Sequence, residues 1–293
     1  MARPIILIVG SLHYDIMVIA DHLPRRDETA IGSRWYPKFG GKGGNQAVAA
    51  QKHGSKARMC GAVGLDDFGR FLRENLNSAG VDDQFVTTVT GAGSGMSVAI
   101  MDAAGDYAAT IVSGANLLIS PNHLSSDALW DGVRMLVLQN EVPEAVNLAA
   151  ATQARARGIR TLLNAAPCRP LSPAFSALVD ILVVNAVEAE MMGAGAVDSL
   201  HSASVAAQSL ARQFSAVIVT AGALGLSACT DQDQNFSISA TKVKAISSHG
   251  AGDAFIGALA SHLSQGDGFP QACQAASAAA ARHVGGLPET HQF

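Results

Sequence analysis

The run Ser247-Ser248-His249-Gly250-Ala251-Gly252-Asp253 leads straight into an apolar segment from Ala254 to Leu263. A Gly-Ala-Gly turn ahead of a helix leaves backbone N–H groups unpaired at the positive end of the helix dipole. Such a place suits an anion, phosphate above all. A carboxylate beside that anion hole can take a proton from an attacking hydroxyl, which phosphoryl transfer to an alcohol requires. Taken alone, the same residues make an ordinary helix start equally well, because an aspartate in the first turn is favoured there on electrostatic grounds. A second glycine-rich element, Phe39-Gly40-Gly41-Lys42-Gly43-Gly44-Asn45-Gln46-Ala47, also leads into a helix. Successive glycines let a backbone approach a ligand closely, and they equally make a hinge. No Ser or Thr follows Lys42, and the spacing is not GxGxxG, so neither common nucleotide loop is present there.

Most of the chain alternates strand-like apolar runs with helix-like segments, the pattern of a parallel sheet with crossover helices. Strands are expected at Ile5–Val9, Ala57–Val63, Arg134–Gln139, Arg160–Leu163, Asp180–Val184 and Ala216–Thr220. Helices are expected at Asn45–Lys52, Asp67–Ala79, Glu144–Arg157 and Ser199–Gln213, the second and third closed by Gly80 and Gly158. Glycine suits those closing positions because they favour positive φ. The Ala-rich stretch Ala272–Ala281 is a further helix, kept in water by Gln274, Ser277 and the following Arg282. Two segments break the alternation. Residues from about Ile16 to Phe39 are polar and carry Pro24 and Pro37, and Ser97–Asp102 with Tyr107–Val112 flank Ala103-Ala104-Gly105-Asp106 as a β-hairpin. Both predict a small β appendage at one edge of the sheet. Sheets of this kind bind ligands outside the carboxyl ends of their strands.

Composition narrows the function classes. The 293 residues are 48% hydrophobic and 15% charged, with a formal net charge of −4. That balance argues for a globule and against nucleic acid or anionic membrane as a partner, since either calls for a basic face. Cys60, Cys168, Cys229 and Cys273 lie far apart, without a CxxC pair. Neither a zinc ribbon nor a disulfide framework is expected, and a cytoplasmic setting is. Ile5–Val9 is too short for a membrane span and reads as a buried first strand.

The two glycine-rich elements together resemble the ribokinase (PfkB-type) family of sugar and nucleoside kinases. Its N-terminal pattern matches Gly40-Gly41-Lys42-Gly43-Gly44-Asn45, with Gly61-Ala62-Val63-Gly64-Leu65-Asp66-Asp67-Phe68-Gly69 downstream, and its C-terminal pattern matches Gly250-Ala251-Gly252-Asp253. Between them, Asn185-Ala186-Val187-Glu188 matches Asn-x-x-Glu, and Thr220-Ala221-Gly222-Ala223-Leu224-Gly225 matches the Thr-x-Gly-x-x-Gly nucleotide loop. The resemblance implies a three-layer αβα sandwich with a mainly parallel central sheet and a β lid. It places one domain over residues 1–293, with the lid at about 12–39 and 96–112.

Roles follow by the same resemblance. Asp253 is implied as catalytic base, with the amides of Gly250, Ala251 and Gly252 holding the transferring phosphoryl group. Asp15, Gly41, Lys42, Asn45 and Glu141 are implied to bind sugar hydroxyls, with His13 beside them. Carboxylates plus an amide accept and donate to several vicinal hydroxyls at once. From the residues alone, Asn45 also suits a helix cap and Glu141 a solvated loop charge. Asn185 and Glu188 are implied to organise Mg2+, largely through water. Asn185, Thr220, Gly222, Gly225, Gly252 and Ser277 are implied to border the nucleotide.

Three departures qualify the match. His13 stands where Asn is usual, which bears on the choice of sugar. Ser247 replaces an Asp that helps hold a monovalent cation, leaving protonated His249 as a substitute charge. The chain ends at Phe293, soon after Gly285-Gly286-Leu287-Pro288, so a shortened loop and a missing final helix are expected to weaken the K+ site and the adenine pocket. The resulting expectation is ATP-dependent phosphorylation of a primary hydroxyl of a small sugar, D-ribose to ribose 5-phosphate first. A nucleoside, another sugar of the family, or a non-catalytic sugar-binding regulator are the alternatives. A homodimer through the β lid is expected as well.

Overall fold

Side-chain alternation in the first strand already divides the core. Leu7 and Val9 point into one buried cluster and Ile6 and Ile8 into another, on opposite faces of one sheet. The computed structural model describes residues 3–102, 107–230 and 234–286. The expected turn Ala103-Ala104-Gly105-Asp106 and the Leu287-Pro288 segment lie outside the described residues.

The strands are β1 (Ile5–Val9), β2 (His13–Ala20), β3 (Gly32–Gly40), β4 (Lys56–Gly64), β5 (Asp82–Val89), β6 (Met96–Met101) and β7 (Tyr107–Val112). They continue with β8 (Val133–Gln139), β9 (Arg160–Asn164), β10 (Ile181–Asn185), β11 (Ala216–Thr220), β12 (Gly225–Thr230) and β13 (Asn235–Ser239). Helices are α1 (Lys42–Lys52), α2 (Asp67–Ser78), α3 (Asp127–Trp130), α4 (Glu144–Ala156) and α5 (Pro173–Ser176). Then come α6 (Ala186–Met191), α7 (Leu200–Leu210), α8 (Ala251–Gln265) and α9 (Phe269–Val284).

The larger sheet runs β13-β12-β11-β10-β9-β8-β1-β4-β5. It is parallel from β11 to β5, and β12 and β13 extend it antiparallel. Its central strands are buried on both faces, which is why Leu182-Val183-Val184 and Val217-Ile218-Val219 are unbroken apolar runs. Val146 and Ala150 of α4 with Ala203, Ala207 and Leu210 of α7 cover one face. Ala47 of α1, Leu72 of α2, Phe255 and Leu259 of α8, and Ala272 and Ala276 of α9 cover the other. The expected three-layer αβα sandwich is therefore the fold.

A second sheet, β3-β2-β6-β7, is built from the two segments that broke the alternation. Strand β2 pairs antiparallel with β3 and parallel with β6. Tyr14 of β2 anchors it, stacking on Phe68 with ring centroids 4.0 Å apart and meeting Phe71 edge-on, both on α2.

Several boundaries move. Helix α1 begins at Lys42 rather than Asn45 and α8 at Ala251 rather than Ala254, because glycines that read as loop are wound into the first turns. Helix α9 extends the expected Ala272–Ala281 at both ends, and α7 is shorter than Ser199–Gln213. Strands β5, β12 and β13 had no expectation. The edge strands β5 and β13 alternate polar and apolar residues, as Phe236 and Ile238 do between Asn235, Ser237 and Ser239, so no continuous apolar run marks them. Strand β12 is an inner, buried strand, and Gly225 and Ser227 interrupt its apolar run.

Candidate active site

Residues at the carboxyl ends of the parallel strands converge on Asp253. Gly250 precedes α8 with φ +86°, a left-handed conformation that glycine adopts without strain, and this brings Asp253 into the first helical turn. The carboxylate is 8% exposed. Asn45 Nδ2 donates to one of its oxygens at 3.1 Å, and Gln46 Nε2 donates to the other at 2.9 Å. Burial pushes the Asp253 carboxyl above the usual carboxylate range. The Lys42 ammonium and the Gln46 and Asn45 amides oppose that rise, and the Glu141 charge adds to it. A raised proton affinity is what a general base requires, provided it is still ionised at working pH.

Asn45 is not a helix cap. Gly41 takes that position with φ +85°, and Asn45 lies inside the first turn with its amide turned to Asp253. A Cβ on Gly41 would sit 2.8 Å from Leu12 Cα and from the Ser11 carbonyl, so the glycine lets α1 abut the chain leaving β1. Glu141 is not a solvated charge either. Its carboxylate accepts from the Lys42 backbone N–H at 2.9 Å and from Ser11 Oγ, and His13 Nδ1 stands 3.8 Å away. His13 is buried, and its Nε2 has no hydrogen-bond partner among the described residues.

On the lid, Asp15 is register partner to Lys38 on one side and Ser97 on the other, so all three share a face. Ser97 Oγ donates to Asp15. Burial lowers the Lys38 pKa against the pull of the Asp15 and Asp253 charges.

Of the three turn amides, that of Ala251 donates to the Ser248 carbonyl at 3.2 Å. Among the described residues, no carbonyl accepts from the Gly252 N–H at the start of α8, and a Cβ on Gly252 would meet nothing within 4 Å. Open space ahead of the helix N-terminus is room for a phosphoryl group.

The second half of the site lies on β10 and β11. Asn185 and Thr220 are register partners at the strand ends. Asn185 caps α6 and accepts from the Glu188 N–H at 2.8 Å, while Glu188 Oε2 accepts from the Asn185 N–H at 2.8 Å, a complete capping box. Glu188 is 8% exposed. Burial raises its pKa, opposed by the Asn185 N–H and by Lys42. Its other oxygen has no hydrogen bond to a described residue, so a single buried carboxylate remains available to a cation. No group of three His, Cys, Asp or Glu that could hold a metal occurs among the described residues. That donor set fits magnesium that keeps most of its water.

The remaining expected nucleotide residues divide. Thr220 Oγ1 donates to the Val184 carbonyl at 3.4 Å, and Gly222 has φ +55° in open surroundings. Gly225 has a structural reason: at φ +121° its Cβ would lie 2.0 Å from the Ile238 carbonyl, blocking the β12–β13 pairing. Ser277 is half-buried on α9, and no described contact joins it to the other site residues. Ser247 is exposed and accepts from the His249 N–H at 3.3 Å. His249 does not supply the charge expected of it. Desolvation lowers its pKa first, and Lys38, Lys42 and His283 lower it further against Asp15, so its protonated form is disfavoured.

Three participants had no expectation: Gln46, Ser11 and Lys38. Gln46 and Lys38 adjoin residues that were singled out, but only the folded chain turns the Gln46 side chain to Asp253.

A model of the pfkB family of carbohydrate kinases matches residues 4–286. Ribokinase of Mus musculus is 35% identical over 264 residues, covering 88% of this chain and 81% of that protein. Deoxyribokinase of Salmonella typhi is 33% identical over 297 residues, covering 98% of this chain and 97% of that one. A solved structure of Arabidopsis thaliana ribokinase complexed with ribose and ATP matches with TM-score 0.88 at 26% identity, over 97% of this chain and 93% of that one.

Proposed function

Because this chain belongs to the pfkB family of carbohydrate kinases and is an ATP-dependent sugar kinase, we propose that it phosphorylates D-ribose to ribose 5-phosphate. The observation that carries the reading is the buried Asp253 carboxylate, held between Asn45 and Gln46 at the mouth of the α8 turn. The primary hydroxyl of the sugar attacks the γ-phosphorus of ATP in line. Asp253 takes the hydroxyl proton as the O–P bond forms and ADP leaves. The Gly250 and Gly252 amides and the Lys42 ammonium take up charge developing on the phosphoryl oxygens. Mg2+, organised by Glu188 and Asn185 through water, neutralises phosphate charge when bound.

Asp15, Gly41, Lys42, Asn45 and Glu141 bind the sugar hydroxyls, and His13 helps rank the sugars. Thr220, Gly222 and Gly225 border the nucleotide, with Ser277 on its far side. One catalytic domain spans residues 1–293, and strands within 12–39 and 96–112 close over the sugar to exclude water. Ile31, Trp35 and Ile111 are 89%, 63% and 57% exposed on this appendage. That apolar surface supports a homodimer formed through the lid. Dependence on ATP and four free cysteines support a cytoplasmic setting.

A second reading is kept, because the deoxyribokinase similarity spans almost the whole chain and His13 offers an unpartnered buried nitrogen beside Glu141. In it, the acceptor is 2-deoxyribose. One screen decides: coupled ATP consumption with MgATP and each of the pentoses, hexoses, 2-deoxyribose and nucleosides. Ribose is expected to give the highest kcat/KM. First place for deoxyribose selects the second reading, and first place for a nucleoside or hexose overturns both.

A further inference from the structure

The turn that carries the anion hole is strapped to the end of α9. The Val284 carbonyl accepts from the Ile246 N–H at 2.8 Å and from the Ser247 N–H at 3.4 Å. One residue earlier on α9, His283 Nε2 lies 2.9 Å from the His249 carbonyl. A carbonyl only accepts, so Nε2 carries the proton and donates. The ring fills the space beside Gly250: a Cβ there would lie 3.1 Å from Nε2. The two glycines around Ala251 make a backbone with wide conformational choice, and these contacts restrict it.

The family resemblance implies a monovalent cation at this place, held by backbone carbonyls and one carboxylate, which steadies the turn. The residues present do not fit one. Ser247 offers a neutral hydroxyl in place of the carboxylate. The His249 carbonyl is taken by His283, and the Val284 carbonyl by Ile246 and Ser247. A cation there would lack a carboxylate ligand, the one full negative charge in the implied set.

We infer that the Nε2–H of His283 replaces the monovalent cation, holding the His249 carbonyl so that the Gly250 and Gly252 amides are fixed for phosphate without potassium. His283 is a positioning residue. It touches the turn and leaves the sugar side of the site, on α1 and the lid, unaltered. Losing it therefore lowers kcat, where amide orientation counts, and spares the sugar KM. The inference rests on the kinase activity and is independent of which sugar is used.

The test has three arms, run with whichever acceptor the screen ranks first. Wild-type initial rates are compared in potassium and tetramethylammonium chloride at equal ionic strength, and ADP affinity is measured by calorimetry in both salts. Rate and affinity are each expected to differ by less than about twofold. Next, His283→Ala is expected to lose about tenfold or more in kcat with sugar KM within about twofold. His283→Gln, whose amide N–H reaches toward the same carbonyl, is expected to recover most of that loss. Finally, the double variant Ser247→Asp with His283→Ala is expected to become potassium-activated. Thermal melting accompanies each variant. A saturable millimolar potassium requirement in the wild type overturns the inference. So does a folded His283→Ala enzyme of unchanged kcat, or a His283→Gln enzyme no better than the alanine variant. If His283→Ala does not fold, the wild-type salt comparison and His283→Gln decide.

Discussion

Asp253 and Glu188 invite comparison. Each is a carboxylate in the first turn of a helix that follows a strand end or turn, each is about nine-tenths buried, and burial raises the pKa of each. They are held in opposite ways. Glu188 is tied to Asn185, three residues away, by a reciprocal capping box. Asp253 is tied to Asn45 and Gln46, more than two hundred residues earlier, on a different helix. The first is a local device that forms with its own helix. The second exists only once α1 and α8 pack together. Both feel the Lys42 ammonium, which links the acceptor and nucleotide sides of the site.

The sharpest break of this comparison is Asp253→Asn. Removing the proton acceptor is expected to lower kcat by about two to four orders of magnitude with sugar and nucleotide binding nearly intact. Single-turnover rates and calorimetry check it, and a variant keeping more than about a tenth of wild-type kcat removes Asp253 from that role. Glu188→Gln comes next. Glutamine preserves the capping box, so the fold should stand while kcat falls by about tenfold to a hundredfold and half-activation needs more magnesium. An unchanged magnesium dependence would detach Glu188 from the metal.

Gln46→Ala separates holding from chemistry. Asp253 must be ionised to accept a proton, and its pKa is already raised, so rate falls as pH drops through that pKa. Losing the Gln46 donor removes a group that favours the charged form and moves the acid limb to higher pH. The pH profile of kcat/KM reads this directly, and an unmoved limb denies Gln46 its role. The smallest effect belongs to the local device. Asn185→Ala is expected to cost about 1 kcal/mol of stability through loss of the cap, seen as a lower melting midpoint. Gln46→Ala, which touches no cap, should shift the pH profile more than the midpoint.

The same division separates what was legible in the chain from what was not. Central strands such as Ala216–Thr220 read directly, because burial on both faces leaves an unbroken apolar run. The glycine-rich turns read too, since positive φ at Gly41 and Gly250 calls for that residue type. The edge strands β5 and β13 did not, because one-sided burial leaves only alternate apolar residues, and neither did the inner strand β12, whose buried Gly225 and Ser227 break its apolar run. Among site residues, Asn45 and Glu141 each admitted a plain structural explanation, and packing removed both: the cap is Gly41, and Glu141 receives Lys42 N–H and Ser11.

Sequence by itself determined the parallel sheet, the two glycine turns, the Asn185–Glu188 spacing and the presence of Asp253 at a helix start. These depend on φ preferences, hydrophobic period and contacts within one turn, all of which are local. Only packing brought Gln46 and Asn45 onto Asp253 and His283 onto the His249 carbonyl. Those pairings join residues remote along the chain, and their energies depend on burial and mutual orientation. Neither quantity exists until the sheet, the helices and the lid have packed.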